Sequence, residues 1–343
     1  MPRIASTIRT ASLAAAAALA SVGAAAQSNV IYGLIDASGS YVKEVGADHH
    51  AWQLDNGNLQ RSFIGFRGNE DLGGGLRAVF RLESYLRIDT GSAGRMEGDP
   101  FWAREASVGL SGAFGTTVLG RTASPLYLTT INFNPFGESP GFSPSARQYF
   151  GSRGVVLGDS RWNNSLSYNN NPNDTPLRIN IAGNLSETPP GLPETERNLG
   201  ASIAYITGPF AFALAAEQIE NSALPLPDGF ERQTAYQISA TYDFTIVRVY
   251  GQVGRVKTEA TLDQQTILYQ LGFAVPIGNS LILAAYGNSH IKTSVQAVTD
   301  RTTSIGYDYF LSKHTDIYIA AMLENLSFVS SGKTVAGGLR VRF

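Results

Sequence analysis

The sequence predicts an all-β protein, sixteen antiparallel strands closed into a transmembrane barrel, and three observations carry that expectation. Alternation of apolar and polar residues with period 2 recurs through the chain in segments of roughly ten residues. The connections between these segments alternate between short turns rich in Gly, Asn, Asp and Pro and longer polar stretches. Aromatic residues (Tyr32, Tyr205, Tyr242, Phe244, Phe273, Tyr309, Phe310 and Phe343) stand at or near segment ends. A secreted β-sandwich or solenoid alternates too, but it buries its apolar faces against each other and needs no aromatics at strand ends. A membrane barrel needs both features, because its sheet must close in lipid and its interfaces carry aromatic girdles.

The segments follow one another in a regular order. Residues 29 to 43 lead into the polar stretch GADHHAWQLDN, and 58 to 70 and 74 to 88 are joined by NEDLGG. DTGSAGRMEGDP precedes 102 to 112, which turns through GAFG into 115 to 122. After a long irregular stretch come 161 to 169 and 176 to 186, then TPPGLPETE, then 197 to 206 and 209 to 219 around TGP. NSALPLPDGF separates these from 231 to 243, which passes through DFT into 245 to 258. The last pairs are 265 to 275 and 279 to 292 around PIGN, and 301 to 311 and 314 to 327 around SKHT, with 333 to 343 closing the series. The clearest pattern is LRAVFRLESYLR, where Leu76, Ala78, Phe80, Leu82, Ser84 and Leu86 oppose Arg77, Val79, Arg81, Glu83, Tyr85 and Arg87. LRINIAGNLS and YQISATYD repeat it.

Composition narrows the function classes. Arg3 and Arg9 precede the apolar run Leu13 to Val22 and the small residues Ala24, Ala25 and Ala26, the pattern of an export signal over residues 1–26 with an A-x-A cleavage site and a mature chain from Gln27 to Phe343. That run is too short to span a bilayer as a helix, and nothing downstream offers about 18 consecutive apolar residues. Loss of Arg3 and Arg9 leaves 24 basic residues against 28 acidic ones, so no nucleic-acid partner is expected. The chain has no cysteine, which excludes disulfides and thiolate metal sites. H-E-x-x-H and G-x-S-x-G are absent, and the histidines are the loop pair His49 and His50 with isolated His290 and His314, so neither catalysis nor a cofactor or metal is expected.

Four stretches in order, NVIYGLIDASGSY, FIGFRGNEDLGGGLRAVFRLE, WAREASVGLSGAFGTTVLGR and RWNNSLSYNN, together with the final Phe343, resemble the general-diffusion porins of Gram-negative bacteria, above all those of β-proteobacteria such as Bordetella, Burkholderia and the comamonads. The resemblance implies a homotrimer in the cell outer membrane, among lipid and lipopolysaccharide, that passes small ions and polar solutes. It also implies that the barrel-assembly machinery reads Val335, Gly337, Leu339, Val341 and Phe343 as an assembly signal. The third loop, residues 123–160, would fold inward and narrow the pore.

In that loop NPFGE is similar to the family's tip motif, with Glu138 as its only acid. Arg104 and Arg161 fall on two of the family's pore arginines, and Phe63 occupies the third position. Arg61 and Arg81, the latter beside Glu83, are the candidates to replace that missing charge. Cations facing an acid across a wet throat set ion preference, which gives an expectation of modest anion selectivity. A channel selective for one sugar or organic acid is the alternative. If Arg104 faces the pore, continued alternation would put Glu105, Ser107, Gly109 and Ser111 on the lipid side, a face that only a subunit contact would hide.

Overall fold

One closed antiparallel sheet dominates the computed structural model, which describes residues 28–170, 175–185, 197–220 and 226–343. The expected export signal lies outside the described residues, as do loop 188–196 and the first five residues of loop 221–230. The barrel begins with β1 (Ser28–Lys43), β2 (Phe63–Gly73), β3 (Leu76–Arg87), β4 (Glu105–Gly112) and β5 (Gly115–Ala123). It continues through β6 (Arg161–Asn169), β7 (Leu177–Asn184), β8 (Leu199–Thr207), β9 (Phe210–Ile219) and β10 (Arg232–Asp243). The remaining strands are β11 (Arg248–Glu259), β12 (Gln264–Ile277), β13 (Ser280–Lys292), β14 (Ala297–Phe310), β15 (Thr315–Leu326) and β16 (Gly332–Arg342). Two short strands that the sequence pattern does not reveal, Ala51–Asp55 and Ser92–Ala93, sit in the first two long connections.

The ring closes between β1 and β16, in register from Leu34 opposite Arg342 to Lys43 opposite Lys333. Phe343 extends the seam: its N–H donates to the Gly33 carbonyl at 3.1 Å, and its carbonyl accepts from the Gly33 N–H at 3.0 Å. A Cβ at Gly33 would lie 2.6 Å from the Phe343 ring. Only a glycine leaves room for that ring.

The two faces of the sheet differ in the sense that lipid demands. Val108, Leu119, Ile203, Leu214, Ile238, Val253, Ile305 and Ile319 are exposed, while Ser38, Ser40, Gln237, Gln252, Gln270, Thr302 and Asp308 are buried. A sandwich would bury the first set, so the exposed apolar parity is the outer wall of a membrane barrel and the polar parity its inner wall. Tyr205, Tyr242, Phe244, Phe273, Tyr309 and Phe343 are exposed near strand ends, as girdles require. Val335 and Leu339 join Phe343 among these exposed residues. Tyr32 departs from the expectation: it is on the inner parity, and its hydroxyl donates to Glu83.

β4 corrects a second expectation. Val108 is 59% exposed and Ser107 only 7%, and Glu83 on the inner parity stands opposite Glu105. Glu105, Ser107, Gly109 and Ser111 therefore face inward. Alternation fails to carry over from Arg104 because the strand starts at Glu105 rather than at 102, so both neighbours reach the inside.

The stretch between β5 and β6 is ordered by two helices, α1 (Pro125–Asn132) and α2 (Pro144–Phe150). Each starts with a serine cap and a proline in the first turn: Tyr127 N–H donates to Ser124 Oγ at 3.2 Å, and Ala146 N–H to Ser143 Oγ at 3.3 Å. The segment packs on the inner parity of β9 to β15. Leu126 N–H donates to Glu217 Oε1 at 2.7 Å, Thr130 Oγ1 to Gln237 Oε1 at 2.9 Å, Ser145 N–H to Gln270 Oε1 at 2.8 Å and Arg147 Nη2 to Glu324 Oε1 at 2.8 Å. Tyr127, Phe133, Phe136, Phe142 and Tyr149 are buried, each contributing on the order of 2 to 3 kcal/mol by leaving water.

Candidate functional site

A cluster of charges assembles where the 123–160 segment meets β2, β3 and β6. Phe63 and Tyr85 stand opposite each other in register on the inner parity, with Glu83 on the same face. The Arg104 N–H donates to the Glu83 carbonyl at 3.2 Å, which pins Arg104 at the entrance to β4. Its Nη1 then donates to Glu138 Oε2 at 3.0 Å. Its Nε lies 2.8 Å from Glu83 Oε2 without an aligned N–H, so that contact acts through charge. Phe63, found where the resemblance places an arginine, carries the Arg104 guanidinium 4.2 Å above its ring, a cation–π contact.

Arg161 reaches the same place from the other side. Its Nε donates to the Tyr85 hydroxyl at 3.1 Å, its guanidinium lies 5.3 Å from the Tyr127 ring, and Nη2 is 4.0 Å from Glu138 Oε2. Glu138 follows Gly137, whose φ of +54° is a left-handed turn that favours glycine. Glu138 also accepts from Gln60 Nε2 at 2.9 Å and from the Tyr127 hydroxyl at 3.2 Å. Burial pushes the Glu138 carboxyl up, but the charge and hydrogen bond of Arg104 and the charge of Arg161 outweigh it and hold the pKa at about 2.

The structure thus brings together Arg104, Arg161, Glu83, Glu138 and Phe63. Arg61 is half-buried, with no ion pair or hydrogen bond among the described residues. Arg81 does not join the cluster: Glu105, turned inward, takes its Nη1 at 3.2 Å, and its side chain stays 46% exposed. Sequence reasoning missed Gln60, Tyr127 and Tyr85 as partners. It also missed a neighbouring network, in which Asp159 accepts from Arg95 Nη1 at 2.7 Å and Arg121 Nη2 at 3.0 Å. That network ties the connection after β3 to the end of the 123–160 segment.

A folded-state pKa below the ordinary carboxylate value means that the Glu138 contribution is present above the ordinary range and is lost only as pH falls through about 2. The difference in reversal potential between wild-type and Glu138→Gln channels is therefore expected to persist unchanged from pH 7 to about pH 3. A difference that vanished near pH 4.5 would show Glu138 outside the arginine pair.

A model described as Gram-negative porin matches residues 11–327. The chain belongs to the Gram-negative porin family. Outer membrane porin protein 32 of Delftia acidovorans is 29% identical, over 96% of this chain and 92% of its own. An outer membrane porin protein of Bordetella pertussis (strain Tohama I) is 26% identical, over 96% and 98%. Among solved structures, the anion-selective porin from Comamonas acidovorans superposes with a TM-score of 0.77 at 25% identity, covering 93% of this chain and all of that one. The porin is an outer-membrane diffusion channel, closed as a sixteen-stranded barrel.

Proposed function

We propose that this porin passes small hydrophilic solutes and ions with a modest preference for anions, through a throat formed where the 123–160 segment lies inside the barrel. The observation that carries the reading is the meeting of Arg104, Arg161 and Glu138 on the inner parity. Arg104, Arg161 and Arg61 are three cations against Glu138 and Glu83, while Arg81 is neutralised by Glu105. In a narrow low-dielectric passage the field follows the nearby charges rather than the chain total. Two-bilayer-side KCl gradients across single channels test it: anion preference supports the throat, and clear cation preference overturns it. The aromatic lining of Phe63, Tyr85 and Tyr127 favours a second reading, a channel selective for an organic acid, which saturable block of the current by one such solute would reveal.

A homotrimer is part of the same proposal, on grounds other than the parity of β4. The outer faces of β2 to β5 carry Ile64, Phe66, Ala78, Phe80, Leu82, Val108, Leu110 and Leu119, with no tyrosine. Exposed tyrosines gather on β8 to β14, at Tyr205, Tyr236, Tyr242, Tyr269, Tyr286, Tyr307 and Tyr309. A wall without interfacial tyrosines suits a neighbouring subunit better than lipid. Native mass measurement in mild detergent is expected to give three copies, and a monomer would defeat the claim. The expected export signal belongs to the proposal as well; N-terminal sequencing of the outer-membrane form should begin at Gln27.

A further inference from the structure

Gly254 on β11, Gly272 on β12 and Gly287 on β13 are buried on the inner parity of neighbouring strands, directly beneath the 123–160 segment. A Cβ at Gly254 would lie 1.7 Å from the Tyr149 hydroxyl oxygen, one at Gly272 2.5 Å from Pro135 Cδ, and one at Gly287 2.6 Å from Pro144 Cβ. None of the three has a positive φ, so their backbone conformation does not call for glycine. Glycine inside a strand weakens the sheet, and it often marks a place where another part of the chain comes close. Here the segment occupies the space that each missing side chain leaves. Gly251, on the opposite face of β11, has nothing within 4 Å of the same position.

The groups that fill these spaces cannot step aside freely. Pro144 opens α2 and Pro135 lies between the two helices, and a proline ring is tied to its own backbone. Tyr149 is packed in one cluster with Val155, Val156, Val256 and Leu268, and its hydroxyl has no hydrogen-bond partner among the described residues. Space rather than hydrogen bonding therefore seats that ring over Gly254. A methyl group at Gly272 or Gly287 would need roughly 1 Å more room to reach ordinary van der Waals separation. β12 and β13 are paired on both edges, so the sheet holds and the segment gives way toward the lumen. Pro135 stands three residues before Glu138, the acid that meets Arg104 and Arg161. A displacement from β12 and β13 carries that tip across the passage.

We propose that Gly254, Gly272 and Gly287 are positioning residues of the throat: by carrying no side chain they let the 123–160 segment lie flat on the barrel wall, and so they set the width of the passage. The inference rests on the throat proposed above. Single-channel conductance in planar bilayers, with exclusion of neutral polyethylene glycols of graded mass, tests it on the full porin. Gly272→Ala/Gly287→Ala is expected to roughly halve the conductance and to lower the polymer mass excluded, while the reversal potential in a KCl gradient keeps its wild-type sign. Gly254→Ala should also conduct less, and Tyr149→Phe, which removes the atom nearest the new methyl group, should restore part of that loss. Tyr149→Phe alone and Gly251→Ala should conduct as wild type. Heat-modifiable gel mobility confirms that each variant is folded. Unchanged or increased conductance in the folded double variant, or a Gly254→Ala loss that Tyr149→Phe does not relieve, would overturn the proposal. Cation preference in the wild-type channel would overturn the ion reading and leave this comparison of widths intact.

Discussion

Replacement of Phe343 by Ala is expected to lower assembled porin in the outer membrane at least tenfold, read as the heat-modifiable folded band in membrane fractions. Two effects meet at this residue, and they can be separated. The backbone pairing of Phe343 with Gly33 closes the seam, and an alanine keeps both of those hydrogen bonds. What the substitution removes is the ring packed over Gly33, which is partly exposed and contributes only about 1 to 2 kcal/mol. A sixteen-strand closed sheet tolerates a loss of that size. The larger effect rests on recognition: Val335, Leu339 and Phe343 point outward on the last strand, where an assembly factor can read them. Urea-unfolded Phe343→Ala protein refolded into detergent should therefore recover close to the wild-type yield while its yield in cells collapses. Unchanged assembly in cells would dismiss the signal, and equal loss in both settings would show a structural role alone. Gly33→Ala, by contrast, should impair both settings, since its Cβ collides with the ring and with the Phe63 carbonyl at 2.6 Å.

The barrel was legible because lipid and water impose opposite chemistry on alternate residues, so that every strand states its parity in the sequence. LRAVFRLESYLR is the clear case: Phe80 and Leu82 face out, Arg81, Glu83 and Tyr85 face in. Legibility ended where the chain leaves the ladder. Arg104 precedes β4 and is held by a single backbone bond, so its inward side chain says nothing about Glu105. Reading through that break put four residues on the wrong wall. The two helices within 123–160 left a local signal, Ser124-Pro125 and Ser143-Pro144, each a cap followed by a proline. Their short length and lack of a strong apolar stripe hid them, and packing on the barrel wall is what stabilises them. At the candidate site, residue type and motif position singled out Arg104, Arg161 and Glu138, and the fold brings these three together. Pairing was beyond reach: whether Arg81 serves the cluster depended on Glu105, and only the true parity of β4 decides that. Phe63 reads in sequence as a lost charge and in three dimensions as the platform for Arg104.

The Arg104→Ala, Arg161→Ala channel is expected to move from anion toward cation preference, and Glu138→Gln in the opposite direction. A unit charge about 4 Å from a permeating ion in water is worth about 1 kcal/mol, roughly fivefold in relative permeability. The double variant leaves Arg61 against Glu83 and Glu138, but the second acid will not keep its full charge. Glu138 is buried, and the two arginines are what hold its pKa down at about 2; without them burial pushes the carboxyl up and part of the negative charge is lost to protonation. The shift toward cations should accordingly be smaller at pH 5 than at pH 8, whereas the wild-type channel, with its pair intact, shows no such dependence from Glu138. Adding Glu138→Gln to the double variant should remove that extra pH dependence. Reversal potentials in a KCl gradient at the two pH values read all three channels. An unchanged reversal potential in the double variant would place the throat elsewhere along the barrel.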